Sequence, residues 1–211
     1  MYQLIIFAAG TAIGSFLNVV IIRYLKKEKP TGRSQCPYCY KQLVWWELIP
    51  IFSFIFLQGQ CRHCHKTISV QYPLVELWLG LISVILFTPL PISTSSWLEA
   101  VLLLIVIGWL TSLAIIDLYT MLLPDQFVIG LSVTVLLFLA IQFAQLNLIS
   151  VLSGSLVGAG LLLLLWLITR QRGIGLGDVK LLFPLGALLG LKGTLLLLWL
   201  AFIWGGLVGF W

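Results

Sequence analysis

Gly175-Leu176-Gly177-Asp178-Val179-Lys180 stands at the head of an apolar run that continues to Trp211 with Lys192 as its only further charge. An ionised Asp costs roughly 2.5–3.5 kcal/mol at the centre of a membrane span and less near its end. The stretch therefore reads as the mouth of a membrane-spanning segment, with a carboxylate that needs either a structural use or a partner. Capping the start of the helix is the simplest use, because Gly177 precedes Asp178 and a span follows it.

Working outward, the whole chain has the same character. Of 211 residues, 61% are hydrophobic and 9% charged, against about a quarter charged in soluble domains. Spans are expected near residues 2–22, 72–90, 97–116, 127–146, 149–169, 179–191 and 194–211. This is an all-α polytopic membrane protein with about seven transmembrane helices and a small polar segment between the first and second. Three parts follow: a first helix at 1–22, a four-Cys segment at 23–71 and a helical membrane core at 72–211. Gly10/Gly14, Gly154/Gly158, Gly186/Gly190 and Gly205/Gly209 are small-residue pairs suited to close helix packing.

The net charge of +5 sets orientation in a bilayer and is not a nucleic-acid signal. No basic residue precedes the first apolar run, whereas Arg23, Lys26, Lys27 and Lys29 follow it, which suits an uncleaved span with its N-terminus outside. The links at 23–71, 117–126 and 170–178 then face the cytoplasm. All basic residues but Lys192 lie on or near that face, and the outer link at 89–97 has none. The same face carries the cysteines, Asp117, Asp125 and Asp178.

Cys36-Pro37-Tyr38-Cys39 and Cys61-Arg62-His63-Cys64 are two knuckles separated by 21 residues. Two such knuckles can set four thiolates at the corners of a tetrahedron, which points to a structural Zn2+ on Cys36, Cys39, Cys61 and Cys64. A pair of disulfides is the alternative, but a cytoplasmic location would keep them reduced. His63 and His65 could substitute as ligands, though they read better as exposed neighbours. The apolar stretch from Trp45 through residues 51–57 is too short to cross a bilayer and is expected to lie on the surface or under the cysteine module.

Seven acidic residues remain to be placed. Glu28 and Glu47 belong to the basic segment and are expected in solvent. Glu99 suits the start of its span. Glu76 sits about a turn into a span, where it could reach the membrane surface or meet a cation such as Lys180. Asp125, after the helix-disfavouring Pro124, reads as a helix cap. Asp117 is harder to explain, because it ends the apolar run 110–116, where a helix dipole disfavours an anion. Two carboxylates on spans at one face suggest an aspartyl pair sharing a proton, one member activating water while the other polarises a scissile carbonyl. Gly175 and Gly177 would let an extended peptide approach the backbone. Asp117 and Asp178 are thus the catalytic candidates, and Gly175, Gly177, Lys180 and Glu76 the substrate-binding candidates.

At these residues the sequence resembles the type IV prepilin peptidases. The resemblance runs in order through Gly14-Ser15-Phe16-Leu17-Asn18-Val19-Val20 with Arg23, Arg33-Ser34 with Cys36-Pro37 and Cys39, and Trp46 with Leu48-Ile49-Pro50. It continues through the second Cys pair, Tyr72-Pro73-Leu74-Val75-Glu76, Asp117 through Pro124-Asp125, and the opening motif at 175–180. It implies an aspartyl peptidase of the bacterial inner membrane, with Asp117 and Asp178 catalytic. Its substrates would be prepilins or pseudopilins, cut after a Gly at the cytoplasmic face, and its surroundings membrane lipid, with no nucleic-acid partner. It also implies N-methylation of the new N-terminus with S-adenosylmethionine, for which the sequence carries no soluble-type cofactor fingerprint. Family members commonly continue to an eighth span, whereas this sequence stops at Gly209-Phe210-Trp211, as in a short member or a truncated chain. A non-catalytic zinc-ribbon scaffold of a pilus or secretion assembly is the competing reading. A proton-relaying transporter fits less well, since no acidic chain crosses the bilayer.

Overall fold

The computed structural model describes residues 1–29, 31–88, 94–169 and 175–209. The expected outer link from Pro89, the basic residues Arg170 and Arg172, and the terminal Phe210 and Trp211 lie outside them. The regular elements of the described chain are helices: α1 (Tyr2–Leu25), α2 (Phe52–Phe56), α3 (Gln71–Phe87), α4 (Thr94–Thr120), α5 (Asp125–Ile141), α6 (Leu148–Ile168) and α7 (Leu176–Gly209). Short 3-10 turns at Trp45–Leu48 and Phe143–Gln145 complete the order. Among the described residues, α1, α4, α6 and α7 are long and apolar enough to cross a membrane. With 17 residues each, α3 and α5 fall below the ~20 needed to cross straight through a bilayer core of ~30 Å. Large apolar side chains face outward along these helices, including Leu4 at 73%, Leu136 at 65% and Trp199 at 62% exposure. An outer surface of that kind is stable in lipid and aggregates in water. The chain is a multi-pass membrane protein.

Two compact units, Met1–Tyr119 and Thr120–Trp211, divide the chain. In the first, Val75, Leu79 and Phe87 of α3 pack with Ala100 and Leu104 of α4, and Ile6 and Leu17 of α1 close the cluster. Small residues bring α1 against α3: a methyl group on Gly10 would stand 2.6 Å from the Leu79 carbonyl oxygen, and one on Gly14 2.8 Å from the Glu76 Cα. Such spacing leaves no room for any larger side chain.

In the second unit α5 and α6 pack on α7, where Leu162 and Leu165 of α6 meet Val179, Leu182 and Leu198 of α7. Gly154 faces Gly190, whose Cα lies 2.8 Å from where a methyl on Gly154 would be. The last two expected spans form one element broken at Gly190, with φ 66° and ψ −179°, a conformation open essentially only to glycine. The break falls two residues before the expected link at 192–193. The Thr194 hydroxyl donates to the Gly190 carbonyl at 2.7 Å, satisfying an oxygen freed at the kink. Gly205 departs from expectation, since a methyl there would meet nothing within 4 Å, so it takes no part in a described helix contact.

Candidate functional site

In the first unit the two cysteine knuckles fold alike. Cys36 N–H donates to the Lys41 carbonyl at 3.0 Å and Cys61 N–H to the Lys66 carbonyl at 2.9 Å, while Tyr40 N–H and His65 N–H return to the carbonyls of Cys36 and Cys61. Tyr40 and His65 both adopt positive φ, 56° and 55°, so each knuckle turns at the residue after its second cysteine. Antiparallel bridges Gln35 with Gln42 and Gln60 with Thr67 close the two turns. Contacts between the knuckles repeat crosswise. Lys66 Nζ sits over the Tyr38 ring at 5.4 Å from its centre, and Lys41 Nζ lies 3.5 Å from His63 Nδ1. Each knuckle thus sets a lysine against an aromatic ring of the other.

The four sulfurs lie within 4.8 Å of one another, with Cys36 Sγ to Cys64 Sγ at 3.8 Å and Cys39 Sγ to Cys61 Sγ at 4.0 Å. A tetrahedron with metal–sulfur bonds of about 2.3 Å has edges of about 3.8 Å. The thiols are free, so four soft donors fit one metal ion and leave no corner for water. Backbone N–H groups of Cys64 and then His63 bring the Cys61 thiol down to about 7 against its burial. At Cys64 the Lys66 N–H lowers the pKa, but burial and the sulfurs of Cys61, Cys36 and Cys39 outweigh it and push the thiol up to about 11. Crowded thiols that share protons in this way are suited to metal.

Asp117 is exposed in the last turn of α4. Nearby, Tyr119 Oη donates to Gln71 Oε1 at 2.9 Å, Gln71 Nε2 to Asn18 Oδ1 at 3.5 Å, and Asn18 Nδ2 to the Tyr72 carbonyl at 3.2 Å. Asn18 is wholly buried. This polar chain ties the end of α4 to α3 and α1. Its signal in the sequence was an amide deep in the apolar run 2–22, read only as part of a motif.

Asp178 lies exposed in the first turn of α7, where its Oδ2 accepts the Gly175 N–H at 3.2 Å. It thus caps from the third helical position, reaching back in the manner of the acidic half of a capping box, and is not the N-cap residue itself. Gly177 admits a neighbour from its own unit: a methyl there would stand 2.9 Å from the Leu123 Cβ. Asp125 is not a cap. Its Oδ1 accepts from Lys180 Nζ at 2.7 Å, pinning the first turn of α5 to that of α7. Lys180 is therefore held by Asp125.

Glu76, expected either to reach the membrane surface or to meet such a cation, is buried and accepts the Ile51 N–H at 2.7 Å through Oε2, with Ser15 beside it. Ile51 has φ 63°, and this bond holds the left-handed turn into α2. Glu47, expected in solvent, is also buried, and its Oε2 takes the Val44 N–H at 2.9 Å. The basic surroundings hid this role: a carboxylate three residues after the start of a turn satisfies a backbone N–H that the turn leaves without a helical partner. Both carboxylates line a cavity of about 360 Å³ between the cysteine module and helices α1 and α3. The short apolar stretch exposes Trp45, Phe52, Ile55 and Phe56 and turns Phe54 toward that cavity.

Residues 8–90 match the bacterial peptidase A24 N-terminal domain and residues 104–210 the type IV leader peptidase family. A prepilin leader peptidase/N-methyltransferase of Aeromonas salmonicida is 35% identical over 99% of this chain and 80% of its own length. A type 4 prepilin-like proteins leader peptide-processing enzyme of Escherichia coli is 36% identical over 86% of this chain and 74% of its own. A prepilin leader peptidase/N-methyltransferase of Myxococcus xanthus is 36% identical over 99% of this chain and 62% of its own. No solved structure matches. The chain belongs to the type IV leader peptidase family.

Proposed function

We propose that this protein is a membrane aspartyl endopeptidase that removes the short basic leader of type IV prepilins or pseudopilins. Membership of the family carries this reading, because both halves of the chain match its two domains and the relatives bear the corresponding names. The catalytic residues are Asp117 and Asp178. One carboxylate, ionised, takes a proton from the attacking water; the other, protonated, donates to the scissile carbonyl oxygen as it gains charge. Both are helix-end residues near polar groups, where a water-dependent reaction is feasible at a membrane surface. Residues 72–211 form the peptidase core and 23–71 the metal-binding segment.

Lys180, Gly175, Gly177 and Glu76 support this site in different ways. Lys180 and Gly177 secure the first turn of α7 that presents Asp178. Gly175 contributes the N–H that orients the Asp178 carboxylate. Glu76 shapes the turn at Ile51. Cleavage falls after a Gly at the cytoplasmic face, with the N-terminus outside and the protein in the bacterial inner membrane. The excess of basic residues in the 23–71 segment supports that orientation.

Cys36, Cys39, Cys61 and Cys64 would hold Zn2+, which supplies folding energy to a segment with little core of its own. S-adenosylmethionine would supply the methyl group for N-methylation of the mature N-terminus.

The test is leader cleavage of a prepilin substrate, read as a gel shift. Asn can keep the Gly175 contact at 178, so Asp178→Asn should insert and fold while cleavage falls about 100-fold or more; Asp117→Asn should behave alike. Near-normal cleavage by both would eliminate the aspartyl mechanism and favour the scaffold reading.

A further inference from the structure

We propose that α2 and the tryptophan turn before it form a membrane anchor that seats the four-cysteine module on an anionic lipid leaflet. Such an anchor is independent of the peptidase reading and requires only the membrane setting of α1 and α3. Phe52, Ile55 and Phe56 stand at positions i, i+3 and i+4 of α2 and so share one face. That face points outward: Phe56 is 81% exposed, as is Trp45 at 74% in the preceding turn. The other side of α2 holds to its own unit, with the Phe54 ring 3.1 Å from where a methyl on Gly59 would be. Trp45 and Trp46 meet edge to face with ring centres 5.5 Å apart, a pair of the residue type that favours the headgroup boundary.

The depth of this face is set by a bond to α3. Ile51, the residue before α2, donates its N–H to Glu76 at 2.7 Å. Glu76 lies five residues past the start of α3, about 7.5 Å along the axis at ~1.5 Å per residue. Interfacial apolar faces sink roughly 5–10 Å into the boundary between headgroups and acyl chains. At the same level α3 exposes Leu74 and Trp78, so the lipid-facing surface of the membrane helix continues onto α2. Charge selects lipid over a protein partner. Residues 23–71 carry eight basic side chains against Glu28 and Glu47, and Glu47 is buried. Lys26, Lys27 and Lys29 follow α1 directly, and Lys41, Arg62 and Lys66 are exposed on the knuckles. A second copy on this face would bring like charges together, whereas an anionic leaflet answers the cations and the aromatics at once.

Photocrosslinking tests the anchor. The full chain with p-benzoylphenylalanine in place of Phe56, in vesicles of phosphatidylcholine and phosphatidylglycerol, should form phospholipid adducts on irradiation, read by mass spectrometry. The same probe in place of Phe54 should form far fewer. Wild type in nanodiscs, which leave both membrane faces open, should be cut by trypsin at Lys41 and Arg62 about fivefold more slowly with phosphatidylglycerol than without it. The combined Phe52→Ser, Ile55→Ser and Phe56→Ser variant should lose that protection yet melt as wild type does in detergent, since all three side chains face outward. Adducts at Phe56 to a second copy, or to another protein when cell membranes are irradiated, would overturn the proposal. Lipid adducts no more frequent at Phe56 than at Phe54, or digestion indifferent to phosphatidylglycerol, would overturn it equally.

Discussion

In the proposed mechanism Asp178 would carry two duties that its neighbours make compatible. One carboxylate oxygen closes the first turn of α7 on the Gly175 N–H, which leaves the other for the proposed chemistry. Nearby Lys180 is bound at 2.7 Å by Asp125, so its charge is fixed two positions along the same helix. Both partners are more than half exposed, and exposed ion pairs contribute little, about 0–1 kcal/mol. Lys180→Gln should therefore lower thermal stability in detergent by less than about 1 kcal/mol, even though it frees the α5 start. Gly177→Ala should cost more, because its new methyl meets the Leu123 Cβ at 2.9 Å and one backbone must move. Scanning calorimetry or a melting assay on the two variants separates charge from contact. A larger loss for Lys180→Gln than for Gly177→Ala would contradict this ranking.

Helices here are held by proximity more than by polarity, since lipid offers no hydrophobic drive between them. Gly154 and Gly186 let α6 and α7 touch along their backbones, and Gly190 bends α7 so that the contact continues past the kink. Gly190→Ala should destabilise the protein by about 1–3 kcal/mol, the cost of forcing a side chain into that backbone region. The added methyl also runs into the Ser150 hydroxyl. Gly205→Ala, facing open space, should be silent in the same melting assay and serves as the control. At the end of α4 the polar chain from Tyr119 through Gln71 to buried Asn18 plays the corresponding anchoring part. Gln71→Leu strands the Asn18 carbonyl oxygen, and should cost about 1–3 kcal/mol. Tyr119→Phe removes only an exposed donor and should cost less.

Considered as a whole, the protein places a four-cysteine polar module between the membrane helices α1 and α3, which touch directly. The module's described residues include little buried apolar surface beyond Cys36 and Cys61, so under the proposed zinc reading its order would depend on the four thiolates. Cys36→Ser or prolonged chelation should release one zinc per chain, measurable by atomic absorption. It should also open the segment to trypsin at Arg33, Lys41, Arg62 and Lys66, while the α6–α7 pairing resists. Unchanged digestion after metal loss would show that the segment folds without it.

Much of this was legible in the residues, for reasons of scale. Apolar length dictates membrane helices in any setting, which is why the boundaries of α1, α4 and α6 fall near those expected. Knuckle spacing dictates a four-thiol cluster because the ligands are local within each turn. Burial was different. Glu47 looked solvated amid lysines, Glu76 looked free to reach the membrane surface or Lys180, and Asp125 looked like a cap; Glu47 proved buried on a donor three residues away, and the other two are committed to donors remote in sequence. Which donor stands opposite a carboxylate depends on how helices and loops pack, and no periodicity encodes it. Sequence by itself determined the membrane class, the cysteine cluster and the family, since these depend on local composition and spacing. Tertiary structure alone decided the partners of the acidic residues, the break at Gly190 and the cavity, because each arises where segments far apart in the chain close on one another.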